Sequence, residues 1–192
     1  AACEAKAIGS VSVALIDNSE DRAIAAEVRG LANRCLGPSG ARLTILEGHA
    51  NIGYGAANNL ALHGTGADYQ LVLNPDIELA PGALVNAVRW LDRRADIGAV
   101  APAVADTAGS PLYLCRRYPA VLDLALRGFA PGFVRALFRR RLERYELRDV
   151  IDPASDKPVP DVPLLSGCCM LVRRKAIDAT GGFDPQFFLY FE

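Results

Sequence analysis

The sequence predicts an α/β fold, a mostly parallel sheet flanked by helices, on three observations. Between Ser10 and Pro102 short apolar runs alternate with amphipathic stretches, the strand and helix rhythm of a parallel sheet with crossover connections. Leu71-Val72-Leu73 is apolar on both faces, as a strand covered by helices must be, and stops at Asn74-Pro75-Asp76, where proline cannot donate to a ladder. The chain has 192 residues, 51% of them hydrophobic, enough for one well-buried domain and for a second only if it were small. We therefore expect a single domain over 1–192, with a first half over 1–102 and a second over 103–192.

Ala1 to Ala7 reads as the last turns of a helix stopped by Gly9. A domain rarely begins inside a helix, so an earlier strand and the rest of that helix are expected upstream. Val11 to Ile16 is a strand, and Asp17-Asn18-Ser19-Glu20-Asp21 is a polar loop at its carboxyl end. A helix follows over 22–34 with Asp21 as its N-cap. The Gly- and Pro-rich turn over 35–40 leads to a strand over 42–46.

His49-Ala50-Asn51-Ile52-Gly53-Tyr54-Gly55-Ala56-Ala57-Asn58-Asn59 then opens a helix that runs to about His63 and is closed by Gly64 and Gly66. The small residues at its start suit an anion approaching free helix N–H groups, and suit close packing of helix on sheet equally well. The spacing is neither that of a P-loop nor of the dinucleotide fingerprint, because Gly-x-Gly is followed by Ala-Ala-Asn-Asn. His49 reads as a polar loop residue, with no second His or Cys at ligand spacing.

Asn74-Pro75-Asp76 presents a carboxylate at the carboxyl end of a strand, where open α/β sheets bind ligands. Such a group suits a hard cation, Mg²⁺ or Mn²⁺, held against a phosphate, although Asn-Pro-Asp is also an ordinary turn. The next helix, from Pro81 to about Arg94, places Leu84, Val85, Val88 and Leu91 on one face with Trp90 at its edge. A strand over 97–101 ends at Pro102.

Beyond Pro102 the rhythm loosens into a turn over 106–110, a short strand over 112–114 and the cationic pair Arg116-Arg117, read as solvated or as reaching a phosphate. Between Phe133 and Tyr145 one helix is expected, with Val134, Leu137, Phe138, Leu142 and Tyr145 on its apolar face and Arg135, Arg139, Arg140 and Arg144 mostly elsewhere. That basic amphipathic helix either lies on an anionic membrane surface or packs on its own domain. The stretch over 161–173 is apolar on both sides of Ser166-Gly167, and a glycine inside a strand marks a bulge or the close approach of a ligand. Ser166 lacks a Gly-x-Ser-x-Gly elbow, which argues against a hydrolase triad. A short helix over 174–180 is capped by Gly181-Gly182, and an aromatic run leads to Glu192.

Lys and Arg number 21 against 22 for Asp and Glu, so no overall field favours nucleic acid. Five cysteines, Cys3, Cys35, Cys115, Cys168 and Cys169, without a Cys-x-x-Cys pair, suggest reduced and buried thiols in a cytoplasmic protein. No apolar run reaches the roughly 18 to 20 residues of a membrane span, and no signal peptide opens the chain.

Taken together, Asp17-Asn18-Ser19, Asn51-x-Gly53 with Asn58, Asn74-Pro75-Asp76, Ser166-Gly167 with Met170, Gly181-Gly182-Phe183-Asp184 and Phe187-Phe188-Leu189-Tyr190-x-Glu192 resemble the inverting family 2 glycosyltransferases, in particular their rhamnosyltransferase-like branch. The resemblance spans nearly the whole chain, and six motifs in the right order are specific where one is not. It implies a GT-A fold, Rossmann-like, whose first half binds a nucleotide-sugar donor and whose second half meets a saccharide or lipid-linked acceptor. It implies that Asp17 accepts a hydrogen bond from the donor's pyrimidine with Asn18 beside it, and that Asn51 and Gly53 line the nucleotide pocket with Asn58 in support. Asp76 would bind the metal at the donor diphosphate, and Asn74 stands where the family has a further Asp. Ser166 and Gly167 fall on the acceptor side. The family's base follows the aromatic run as the second member of an acidic pair, so Glu192 would neighbour it and the base itself would be the next residue.

That chemistry accounts for the residue types. Departure of a nucleoside diphosphate builds charge that a divalent cation stabilises, and the attacking hydroxyl gives its proton to a carboxylate. The leading reading is thus a cytoplasmic, metal-assisted sugar transferase, with dTDP-rhamnose as the candidate donor and peripheral contact at the inner face of the membrane as an open option. A nucleotide-sugar-binding fragment without turnover is a second reading, and a dinucleotide-dependent oxidoreductase a third, disfavoured by the missing fingerprint.

Overall fold

A computed structural model describes residues 8–19, 21–36, 41–63, 65–155 and 157–188. In chain order its strands are β1 (Ser12–Ile16), β2 (Arg42–Leu46), β3 (Tyr69–Leu73), β4 (Ala99–Val100), β5 (Val104–Ala105), β6 (Pro111–Leu112) and β7 (Cys169–Arg173). Its helices are α1 (Arg22–Leu36), α2 (Tyr54–Leu62), α3 (Ala83–Arg93), α4 (Val121–Gly128), α5 (Gly132–Leu137), α6 (Arg139–Tyr145) and α7 (Arg174–Thr180). The chain divides into two compact units, one of Ala1–Val72, Glu78–Ala99 and Leu171–Glu192, the other of Leu73–Ile77 and Val100–Met170.

Helices and strands mix as an α/β chain requires, but the described strands form three sheets where one mostly parallel sheet was expected. β1 and β2 pair in parallel, from Ser12 against Arg42 to Ile16 against Leu46. A second sheet has the order β3-β7-β4, and β5 pairs antiparallel with β6. The cause lies in β7: the apolar strand that enters beside β3 comes from some 100 residues further along the chain, a partner that the alternation of neighbouring elements does not reveal. In a two-stranded sheet one side stays wet, and Ser12 and Ala14 are exposed while Val13, Leu15 and Ile16 are half-buried.

In the first unit the helix termini are closed partly by neighbouring residues and partly by side chains from far along the chain. The Asp21 carboxylate accepts the Ala23 N–H at 2.8 Å and caps α1 as expected. Gly181 takes the left-handed conformation, φ 80°, that closes α7, and its N–H bonds to the Ile177 carbonyl. Two consecutive arginines at the end of β7 close two further helices. Arg173 donates to the Leu91 and Arg94 carbonyls at the end of α3 and lies over the Tyr69 ring. Arg174 donates to the Leu62 carbonyl at the end of α2 at 2.8 Å and to the Thr65 carbonyl at 2.7 Å. A cation beside exposed helix carbonyls also meets the negative end of the helix dipole. The core of this unit holds Ala57, Leu62, Val72, Val85, Leu91, Leu171 and Ile177.

In the second unit, α4, α5 and α6 pack against one another around a buried carboxylate. Asp123 accepts the Ala120 N–H at 2.9 Å, closing the start of α4, and pairs with Arg141 at 2.6 Å. Arg127 reaches Glu146 at 2.7 Å and lies over the Tyr145 ring. Four sequence expectations are corrected here. The helix between Phe133 and Tyr145 is two helices, because Phe138, φ −98° and ψ 18°, turns the chain between α5 and α6. Leu137 and Phe138, assigned to the apolar inner face, are exposed as a result. The strand over 112–114 is β6, which ends at Leu112. Arg116 and Arg117 neither stand free nor await a phosphate: Arg116 donates to the Cys115 carbonyl at 2.8 Å, and Arg117 pairs with Asp149 at 2.8 Å.

Among the described cysteines Cys35, Cys115, Cys168 and Cys169 are free thiols, and Cys169 is buried as expected, whereas Cys35 is exposed on α1. Burial pushes the Cys115 and Cys169 thiols up. No helix among the described residues is long and apolar enough to cross a membrane. The helix expected over Ala1 to Ala7, the closing Gly64, and Glu192 lie outside the described residues.

Candidate functional site

The predicted site residues fall into one cluster in each unit. In the first unit the cluster forms where β1 and β2 end together. The Asp17 N–H continues the parallel ladder to the Leu46 carbonyl at 2.9 Å, so the Asp17 side chain emerges at the carboxyl edge of the pair. Its carboxylate accepts the Ser19 N–H at 2.9 Å. The Ser19 side chain and then its N–H hold the Asp17 carboxyl below the usual carboxylate range, and nearby His49 adds to the effect.

The next loop is braced by two carboxamides. Asn18 Nδ2 donates to Asn51 Oδ1 at 2.9 Å, and Asn18 Oδ1 accepts the Ile52 N–H at 3.1 Å. Asn51 Oδ1 also accepts the Gly53 N–H at 3.2 Å. Asn18 and Asn51 thus hold each other and the loop. Asn58 turns back on its own helix, donating to the Tyr54 carbonyl at 2.9 Å.

Gly53 is buried and left-handed, φ 89° and ψ 166°. A Cβ there would stand 2.6 Å from the Phe188 carbonyl oxygen. That same oxygen accepts the Tyr54 N–H at 3.0 Å, so the first N–H of α2, read from sequence as open to an anion, is held by the chain itself. Sequence reasoning missed Asn59, whose carboxamide accepts the Phe183 N–H at 2.9 Å and donates to the Phe183 carbonyl at 2.8 Å. A Cβ on Gly182 would meet Asn59 Oδ1 at 2.5 Å, which explains the second glycine of that motif. The doubled Asn58-Asn59 was the available signal, with Asn58 taken and its neighbour passed over.

Beside Asp17 opens a cleft of about 480 Å³, lined by Asp17, Ser19, Asp21, Arg29, Glu47 and Ala50 among others. This is within the range of small-molecule sites, roughly 300 to 1,000 Å³. Arg29 and Glu47 form an ion pair on its wall, and neither was singled out in the sequence. Ala50 adopts φ 57°, an uncommon conformation for a residue with a Cβ. On the loop after β2, His49 Nε2 is buried without a hydrogen-bond partner among the described residues. Such a group ordinarily finds a partner in water or a ligand.

The cluster in the second unit joins two turns. Asn74 N–H donates to the Cys168 carbonyl at 2.8 Å, and the Cys168 N–H lies 3.4 Å from Ser166 Oγ. This brings Asn74 and Asp76 beside Ser166 and Gly167. Asp76 is exposed in the turn closed by the Ile77 N–H to Asn74 carbonyl bond, 3.3 Å. Among the described residues no three His, Cys, Asp or Glu side chains form a metal cage. One exposed carboxylate fits a different mode, in which Mg²⁺ keeps most of its waters and arrives bound to a diphosphate.

The chain resembles a rhamnosyltransferase. It is 31% identical over 194 residues to the N-acetylglucosaminyl-diphospho-decaprenol L-rhamnosyltransferase of Mycobacterium tuberculosis, in strain CDC 1551 / Oshkosh and equally in strain ATCC 25618 / H37Rv. That alignment takes in 95% of this chain, which spans 58% of the length of these relatives. No family model and no solved structure matches the chain. The likeness supports a glycosyltransferase and runs through both clusters described above.

Proposed function

We propose that the chain transfers a sugar, L-rhamnose from dTDP-rhamnose in the first instance, from a nucleoside diphosphate to an acceptor hydroxyl with inversion. The acceptor is a saccharide or a lipid-linked saccharide, as the printed name of the mycobacterial relatives suggests, and the work is cytoplasmic. The observation that carries the reading is the cleft at the ends of β1 and β2, where the Asp17 carboxylate, held below the usual carboxylate range by Ser19, emerges at the carboxyl edge of the parallel pair. A pyrimidine supplies a ring N–H for that carboxylate. Asn18, Asn51 and Gly53 shape the loop around the nucleotide, with Asn58 inside α2 supporting it.

Asp76, with Asn74 in the same turn, would hold Mg²⁺ or Mn²⁺ on the donor diphosphate. Bound there, the cation supplies Lewis-acid stabilisation of the leaving oxygen. Ser166 and Gly167 would border the acceptor, and a carboxylate at or after Glu192 would take its proton.

The test is thermal unfolding with dTDP, UDP and NADPH, each with and without Mn²⁺, followed by turnover of the sugar nucleotide that protects best. A midpoint raised by dTDP or UDP and raised further by Mn²⁺ is expected, since a ligand at a hundred times its Kd adds about 2.7 kcal/mol of stability. Protection by NADPH alone would replace this reading with the oxidoreductase.

A further inference from the structure

The second unit exposes apolar side chains in a way that its own packing does not explain. Val121 on α4 is 85% exposed, Phe129 just after it 90%, and Phe133 and Leu137, one turn apart on α5, 78% and 81%. Tyr118 and Leu124 are exposed in the same stretch. These helices nevertheless pack on one another and bury Leu126, Tyr145 and the Asp123 carboxylate, which pairs with Arg141. The exposed residues therefore stand on the surface of a folded unit, and large apolar side chains gathered in one exposed stretch mark a binding face.

Charge identifies what it binds. From Tyr118 to Leu142 the sequence holds five arginines and one carboxylate, Asp123, which is buried against Arg141. Arg135 lies between Phe133 and Leu137, and Arg139 and Arg140 follow Phe138; all three are exposed. Arg135 and Arg140 have no acidic partner among the described residues, and Arg139 has only Glu143, its neighbour on α6. Apolar side chains that enter an acyl boundary, bordered by cations that pair with headgroup phosphates, are the pattern of a protein resting on a bilayer. The helices, of 8, 6 and 7 residues, are too short to do more than lie on it.

We propose that the exposed apolar residues Val121, Phe129, Phe133 and Leu137, with Arg139 and Arg140 following them in the chain, dock on an anionic phospholipid surface. The proposal adds to the transfer reading a means of meeting a membrane-borne acceptor, and it can be tested without turnover, so that either can fail alone.

The experiment is flotation of the chain with vesicles of phosphatidylcholine alone and of phosphatidylcholine and phosphatidylglycerol in equal parts, at low and high salt. Wild type should float with the anionic vesicles at low salt and far less at high salt. R139Q/R140Q should weaken that partition roughly thirtyfold, at about fivefold per basic residue near the surface. F129S/F133S should weaken it by on the order of a hundredfold, about tenfold per phenylalanine. Because all four residues are exposed, circular dichroism and the unfolding midpoint should match wild type in both variants. Three results would overturn the proposal: wild type absent from anionic vesicles, flotation unchanged in both double variants, or a self-association abolished by F129S/F133S in a protein that never floats, which would make a second copy the occupant.

Discussion

Replacing Gly53 by alanine tests the joint on which the first cluster depends. Two costs can be read from the backbone. At φ 89° and ψ 166° the residue occupies a region essentially reserved for glycine, where a side chain costs about 1 to 3 kcal/mol. The new Cβ would also stand 2.6 Å from the Phe188 carbonyl oxygen, which must move and release the Tyr54 N–H it now accepts at 3.0 Å. A hydrogen bond of that kind is worth about 1 kcal/mol net. Together the substitution should cost about 2 to 4 kcal/mol, a large part of the roughly 5 to 15 kcal/mol that holds a typical domain folded. Gly48→Ala is the control, since Gly48 also has a positive φ, 83°, but no atom within 4 Å of the added Cβ. Urea unfolding of both variants, read at equal m-values, isolates the Phe188 contact as their difference, about 1 to 2 kcal/mol. Hydrogen exchange at the Tyr54 amide should quicken in Gly53→Ala alone. Equal costs for the two variants would refute the argument, by showing that the Phe188 carbonyl does not occupy that place in solution.

Arg174→Met should lower stability by about 1 to 3 kcal/mol, because it strands the Thr65 carbonyl and takes one of two donors from the Leu62 carbonyl, which keeps Gln70 Nε2; a melting curve unchanged from wild type would contradict this. Asp76→Ala should abolish the part of dTDP affinity that depends on Mn²⁺ and leave the rest, and calorimetry showing the same metal dependence in the variant would remove Asp76 from the site. Asp17 should titrate by NMR below 3.8, the direction set by the Ser19 side chain and N–H. Since its folded pKa is the lower one, the stabilisation it brings is present above the unfolded value and fades as pH falls through the folded value, so pyrimidine binding through Asp17 should weaken only as pH falls through that lowered value. A midpoint above 3.8 would show that the Ser19 turn does not form.

Much of the first unit was legible because its signals are local. Asp21 caps α1, α2 reaches Leu62, α7 stops at a left-handed Gly181, and the apolar face of α3 buries Val85 and Leu91, each decided by residues a turn or less away. What escaped sequence reasoning depends on distant pairing. The neighbour of β3 is β7, and nothing near Leu71 announces it. Gly53 was read as a place of close approach and Gly182 as part of a helix cap, yet the atoms against them are those of Phe188 and Asn59, far along the chain in each case. The exposed side of α4 and α5 was hidden for the opposite reason: periodicity shows which residues share a face, and only tertiary contacts decide whether that face is covered.

The last consequence concerns how a catalytic carboxylate would be placed under the transfer reading. Phe188 is tied to the start of α2 by its carbonyl, and Phe183 is tied to Asn59 by two hydrogen bonds, so the segment leading into the aromatic run is fastened twice to one helix. Glu192 lies four positions beyond Phe188 and the expected base one further, a reach of at most about 18 Å when fully extended. A base at that position is therefore leashed to the turn at Gly53, the same turn that Asn18 and Asn51 brace around the nucleotide. Donor loop and base then share one anchor in the backbone, and loosening the tail should harm proton transfer more than donor binding. Asn59→Ala does this at a distance from both, since it removes the two bonds to Phe183 and touches neither Asp17 nor Asp76. It should lower kcat by about 10- to 100-fold, within the range that general-base catalysis supplies, while the Kd for dTDP changes less than about twofold. A fall in dTDP affinity as large as the fall in turnover would show that Asn59 serves the nucleotide cleft and that the base is positioned by other means.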